Sequence, residues 1–327
     1  MDELTQLFDE AQQWLFEHLL QPLLFKFGMA SMIEDAYAGS MWLLVGILEI
    51  VLLVVVIGSL QRWRPVEQVT DRQQIRVDIL YTLIYRLGLF RVALFFLVQP
   101  FWDTFFGQAH VWGLSPLHID QVWPGVTDQP WVSLVIYLLI FDAVDYLYHR
   151  AQHRFDWFWA LHSVHHSQRQ MTMWSDNRNH LLDSVLRDAV LVVVSQLIGV
   201  APAQFVLIVV FTQLVESFSH ANVRLSFGRW GDRLLVSPRF HRHHHSIAIE
   251  ESTAGVRRGS NFSVLFPVWD ILCGTGRFET PYGPTGIHDQ LPQAGARDYG
   301  CGFLAQQWLG LKRLVGADKR SDGRPAT

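Results

Sequence analysis

Three groups of histidine in this chain are spaced as metal ligands are. They read His149-Arg-Ala-Gln-His153, His162-Ser-Val-His165-His166 and His241-Arg-His-His244-His245, and the stretch 149–245 holds eleven of the fifteen histidines. On a helix, positions three and four apart share a face, so each HxxHH presents three imidazoles to one side and HxxxH presents two. Neutral imidazole suits first-row transition metals such as iron, zinc and copper. Eight convergent ligands exceed the four of a tetrahedral zinc. They are enough for two metal ions with positions left open for O₂ or a substrate. A lone histidine is more often a structural hydrogen-bonder, and an adventitious histidine-rich tract would explain 241–245 alone. Neither explains the same spacing recurring at 162. If 241–245 is helical, His243 faces away from His241, His244 and His245.

Carboxylates stand at helical spacing from these histidines. Asp142 and Asp145 precede His149 by seven and four, Glu216 precedes His220 by four, and Asp183 follows His180 by three. A metal-bound histidine usually hands its other ring N–H to such an acceptor, which fixes the tautomer. Acids at the end of a spanning helix are costly and tend to mark function; simple exposure at a membrane surface is the plainer reading.

The elements that carry these residues read as membrane helices. Half the residues are hydrophobic and 17% are charged, against about 25% in soluble domains. Apolar segments long enough for a hydrocarbon core run over 41–60, 77–98 and 131–148. A pair at 185–200 and 203–218 is joined by Ala201-Pro202, a joint that suggests a helical hairpin, one that need not cross fully. Residues 1–40 hold one basic residue against seven acids, and 101–130 hold no Lys or Arg. Arginines gather at 61–76 and after Tyr148. The positive-inside rule places the N-terminus and 101–130 outside, and 61–76, 149–183 and the chain from 221 inside. The segment 4–27 reads as an amphipathic helix, on the membrane surface or packed on the bundle, and the last dozen residues as a frayed end. A net charge of −4 argues against nucleic acid as a partner. The two cysteines, Cys273 and Cys301, have no metal or disulfide spacing, and no cleavable signal peptide is expected.

These motifs resemble those of the fatty acid hydroxylase/sterol desaturase superfamily of integral-membrane di-iron oxygenases. The resemblance covers roughly 131–277. Asp145-Tyr-Leu-Tyr-His149-Arg-Ala-Gln-His153 is similar to the first box, Trp159-Ala-Leu-His162-Ser-Val-His165-His166-Ser to the second, and Pro238-Arg-Phe-His241-Arg-His-His244-His245-Ser to the third. Asn261-Phe262, Trp269-Asp270 and Gly274-Thr275 match the closing signatures. Arg178-Asn-His180 sits where the family has Arg-x-His-Pro, and Glu216-Ser-Phe-Ser-His220-Ala-Asn222 resembles the segment that supplies a further histidine. Four positions depart: Leu181 for Pro, His243 for an apolar residue, Phe262 for Tyr and Cys273 for Phe.

The resemblance implies an all-α, multi-pass membrane bundle of about four to five hydrophobic helices with a cytosolic, histidine-rich helical cap. Residues 1–130 would hold an amphipathic helix and the first two membrane helices, 131–280 the catalytic part and 281–327 a C-terminal tail. The ligands implied are His149, His153, His162, His165, His166, His180, His220, His241, His244 and His245, holding two iron ions, with Asp142, Asp145, Asp183 and Glu216 behind them. The implied reaction is O₂-dependent hydroxylation or desaturation of a fatty acyl, sterol or related lipid, with electrons from a separate ferredoxin- or cytochrome-type donor. Two other classes compete. A zinc-dependent membrane hydrolase would call for a general-base Glu as in HExxH, which is absent. A metal- or haem-binding transporter would place its polar residues near mid-membrane.

Overall fold

In a computed structural model, which describes residues 2–248 and 259–317, the chain is helical, with no β-strand among the described residues. The expected frayed end falls almost wholly outside them. Among the described residues, four helices are long and apolar enough to cross a membrane: Ala30–Trp63, Leu89–Val111, Pro130–Arg154 and Pro202–Ser219. We label the helices α1 (2–26), α2 (Ala30–Trp63), α3 (Arg72–Arg86), α4 (Leu89–Val111), α5 (Pro130–Arg154), α6 (Asp156–His166), α7 (Leu181–Ile198), α8 (Pro202–Ser219), α9 (Pro238–His244), α10 (Val268–Leu272) and α11 (Phe303–Leu314).

The apolar segment expected over 77–98 is divided. Gly88, at φ +78°, separates α3 from α4, because a left-handed residue ends a right-handed helix. The candidate span therefore starts at Leu89, and the first part of the expected 101–130 loop is helical. The segment expected at 185–200 lies in α7, which carries Asp183, Arg187 and Asp188 and is not among the four.

The chain forms two compact units, 1–56 with 82–113 and 57–81 with 114–327. In the first, α1 packs on α2: Phe16 meets Tyr37 edge to face and Gln12 donates to the Tyr37 carbonyl. A buried Arg86–Glu49 pair closes at 2.8 Å. Beside it only glycine fits at 46, since a Cβ there would lie 1.6 Å from the Arg86 carbonyl oxygen.

The second unit is built on α5, α7 and α8. Pro130 opens α5 at a position where its missing N–H costs nothing. Tyr137, Phe141 and Ile208 form a buried core with Leu191, Val194, Ile198 and Phe205 around them. The α7–α8 hairpin runs the apolar length of α5. At its tip Gln204 donates to the Pro130 carbonyl and Ser133 Oγ, and Tyr137 donates to the Gly199 carbonyl. The opposite ends of these helices gather with the arginine-bearing segments. Gln61 Oε1 accepts from the N–H groups of Met173 and Asn222, Asn222 Oδ1 accepts from Val66 and Glu67, and Arg178 pairs with Asp78 at 2.6 Å. Segments 61–78, 168–178 and 222 thus meet on one side of the unit.

A candidate metal centre of nine histidines

The C-terminal end of α5 supplies His149 and His153, one turn apart. A one-residue break at Phe155 turns the chain into α6, which carries His162, His165 and His166. His220 closes α8. Helix α9 starts on Ser237, whose hydroxyl accepts from the Phe240 N–H, with Pro238 in its first turn, and it presents His241, His244 and His245.

These side chains form two groups of buried imidazoles. His149, His153, His162, His166 and His244 make one; His165, His220, His241 and His245 make the other. Within each, one nitrogen from every ring lies within 4.8 Å of the others. Both HxxHH boxes split in the same way. The residues four apart go together, 162 with 166 and 241 with 245, while 165 and 244 join the opposite group. Residues four apart on a helix differ by about 40° and adjacent ones by about 100°, so one helix can serve two neighbouring ions. His243 belongs to neither group and is only half-buried.

The outer nitrogens set the tautomers. His149, His244 and His220 donate Nδ1–H to the carbonyls of Phe262, Ser260 and Glu216 at 2.8, 2.8 and 2.7 Å. A carbonyl only accepts, so Nε2 of each ring is an inward lone pair. The inner nitrogens crowd: His153 to His166, His166 to His244, His165 to His220 and His241 to His245 are each 3.1 Å between Nε2 atoms, and His220 to His241 is 3.0 Å. Two imidazoles at right angles about one ion, each ~2.1 Å from it, would stand ~3.0 Å apart. The buried Nε2 atoms of His149 and His162 have no hydrogen-bond partner. A buried lone pair without a donor is costly, and a bound cation removes that cost. The donor set therefore fits two transition-metal ions. Burial, then the neighbouring imidazoles, hold His165, His166, His241 and His245 well below the usual histidine range, and burial holds His244 down to about 3. These rings are neutral at pH 7 and can ligate.

His180 lies apart. Its Nδ1 caps α7 by accepting the Leu182 N–H, and its Nε2–H donates to the Gln307 carbonyl at 2.9 Å, so both nitrogens are occupied. The acids also take other partners than helical spacing suggests. Asp145 forms a bidentate pair with Arg187 at 2.8 and 2.9 Å instead of receiving His149. Asp142 accepts from the Leu265 and Phe266 N–H groups and from Trp269 Nε1, so it holds the loop whose Phe262 carbonyl orients His149. The Glu216 carboxylate lies 3.6 Å from Arg187, and its backbone carbonyl receives His220. Asp183 faces His162 Nδ1 at 3.6 Å, not His180, and accepts from Gln152 and Tyr148. The physical reason is common: a carboxylate on α5, α7 or α8 points at whichever helix or loop packs there, not along its own helix. Arg187 is not singled out by the sequence reading, although it is the one basic residue of α7.

The aromatic wall completes the site. Trp159 packs on His153 and His166 with ring centroids 4.9 and 5.2 Å apart, and Phe262 stands beside His149, His153 and His244. Asp270 fixes the Phe262 loop by accepting from the Phe262 and Ser263 N–H groups and from Thr275.

Residues 134–275 match the fatty acid hydroxylase family. The ornithine lipid hydroxylase OlsE of Rhizobium tropici is 26% identical over 279 residues, 80% of this chain and 76% of that protein. The alkylglycerol monooxygenase of Caenorhabditis elegans is 27% identical over 173 residues, 51% of this chain and 30% of its own length. No solved structure matches the chain.

Proposed function

Because residues 134–275 of this chain belong to the fatty acid hydroxylase family, we propose that it is a membrane oxygenase that holds two iron ions and uses O₂ to hydroxylate a membrane lipid. The observation that carries this reading is the pair of buried imidazole groups, five and four, with ring nitrogens converging. His149, His153, His162, His166 and His244 would hold one ion, and His165, His220, His241 and His245 the other. Bound there, the metals would supply activation of O₂ for attack on an unactivated C–H bond, with two electrons from a separate ferredoxin- or cytochrome-type donor. The protein's own residues hold the imidazoles neutral and oriented through the carbonyls of Phe262, Ser260 and Glu216. Trp159 and Phe262 pack against the five-histidine group and would keep water from it. The arginines of 61–76 and 149–183 support a cytosolic centre. The names of the two relatives favour hydroxylation over desaturation and a lipid as substrate.

The test compares lipid extracts of cells with and without the gene by mass spectrometry, beside elemental analysis of the purified protein. A lipid gaining one oxygen and close to two irons per chain are expected. A lipid that loses two hydrogens and gains no oxygen would turn the reading to desaturation. A single zinc with full activity after iron removal would refute the di-iron centre.

A further inference from the structure

Helix α11 lies beyond the family match, and its two faces have different fates. One face is docked. Gln306 is buried against Tyr81, Gln307 donates to the Tyr81 hydroxyl and accepts from the Leu181 N–H, and the Gln307 carbonyl receives His180. A Cβ at Gly310 would lie 2.5 Å from the His180 ring, so glycine allows that approach. The other face carries Leu304, Trp308, Leu311 and Val315, exposed by 78, 58, 37 and 75%. At ~100° per residue these four fall within an arc of ~60°. A continuous apolar stripe on a short helix calls for an apolar partner.

We propose that this stripe lies in the headgroup zone of the bilayer and fastens the metal-bearing cap to the membrane surface. Position in the fold favours this partner. Gln307 bonds the first residue of α7, whose uncharged run begins at Ala189 and packs through Leu191, Val194 and Ile198 on the candidate spans α5 and α8. Eight residues at ~1.5 Å each place α11 ~12 Å from the hydrocarbon, close to the depth of the interfacial zone plus one side chain. The stripe composition agrees. Trp308 is the residue type that gathers at membrane interfaces. Lys312 holds its Nζ over the Trp308 ring, 5.4 Å from the ring centroid, so a cation stands at the edge of the stripe, where lipid phosphates would meet it. Because α11 also packs on α6, which carries His162, His165 and His166, this contact would fix how far the centre stands from the lipid surface. The inference rests on the membrane reading of the fold and not on the reaction.

The test uses full-length protein in lipid nanodiscs, with Cys273→Ser and Cys301→Ser as background, since both thiols are exposed. Single cysteines replace Leu304, Trp308, Leu311 and Val315, with the exposed Ala305 as control. Each carries a fluorophore challenged by lipids spin-labelled near the headgroup and by aqueous iodide. The stripe positions should be quenched several-fold more by the lipid label than Ala305 is, and shielded from iodide. Iodide quenching equal at all five positions would overturn the proposal. So would a stripe that neither quencher reaches, because that result means a protein surface covers it. Neither outcome depends on iron or turnover, so failure here leaves the oxygenase reading standing.

Discussion

Replacing Asp142 by asparagine removes one carboxylate oxygen from a site where three N–H groups converge. Oδ1 accepts from Leu265 at 2.8 Å, and Oδ2 accepts from Phe266 at 3.1 Å and Trp269 Nε1 at 2.8 Å. The amide oxygen can serve one side only, and the NH₂ then faces a donor. One buried N–H left without an acceptor costs ~1–3 kcal/mol, and two bonds lose their charge assistance at ~1 kcal/mol each. The loop from Phe262 to Trp269 should therefore be destabilised by about 3–5 kcal/mol. That loop provides the Phe262 carbonyl that orients His149, and losses of this kind behind a metal ligand cost ~10–100-fold in affinity. Competition with a chromogenic chelator should show that weakening in the five-histidine group, with the four-histidine group less affected. Helical content by circular dichroism should be retained. Asp142→Asn protein that holds both metals as tightly as the parent would refute the argument that this acid acts through the loop.

Four further outcomes follow from the same geometry. His243→Val should keep metal content and turnover, whereas His241→Ala, His244→Ala or His245→Ala should each lose metal, read by elemental analysis; equal graded losses at all four would contradict the helix-face assignment. His180→Ala should keep metal stoichiometry and lower thermal stability through loss of the α7 cap, typically by ~1 kcal/mol; loss of one metal would make it a ligand. For histidines whose folded pKa is depressed, the unfolded chain binds the protons first, so stability is full above the unfolded pKa of ~6.5 and falls as pH drops below it. Metal-free protein should accordingly melt at lower temperature at pH 5 than at pH 7, given His244 at about 3 and four other rings held well below the ordinary range. Cysteines placed singly at the exposed Asp128 and Arg169 should label from outside intact cells only at 128; the reverse pattern would invert the topology.

The local part of the site was legible in the chain. Ligand spacing three and four apart on one helix is a property of the α-helix itself, so His149, His153 and the two HxxHH boxes could be read from order alone. The same holds for membrane character, because apolar length is additive along a segment. His220 needed more than spacing, since nothing within its own helix points it at His165 and His241.

Tertiary packing decided the rest. Which histidines share a group depends on where α5, α6, α8 and α9 meet, and that division cuts each HxxHH box in two. Asp142, Asp145, Asp183 and Glu216 stood near the histidines in sequence, yet each found its partner on another element: the 262–269 loop, Arg187, or the side chains of α5 and α6. His180 shows the same limit. Its motif resembled a ligand segment, but a helix N-terminus and a C-terminal helix more than a hundred residues away claimed both of its nitrogens. A residue type and its neighbours in sequence fix what a side chain can do; the direction in which helices cross fixes what it meets, and crossing is set by burial summed over the whole unit.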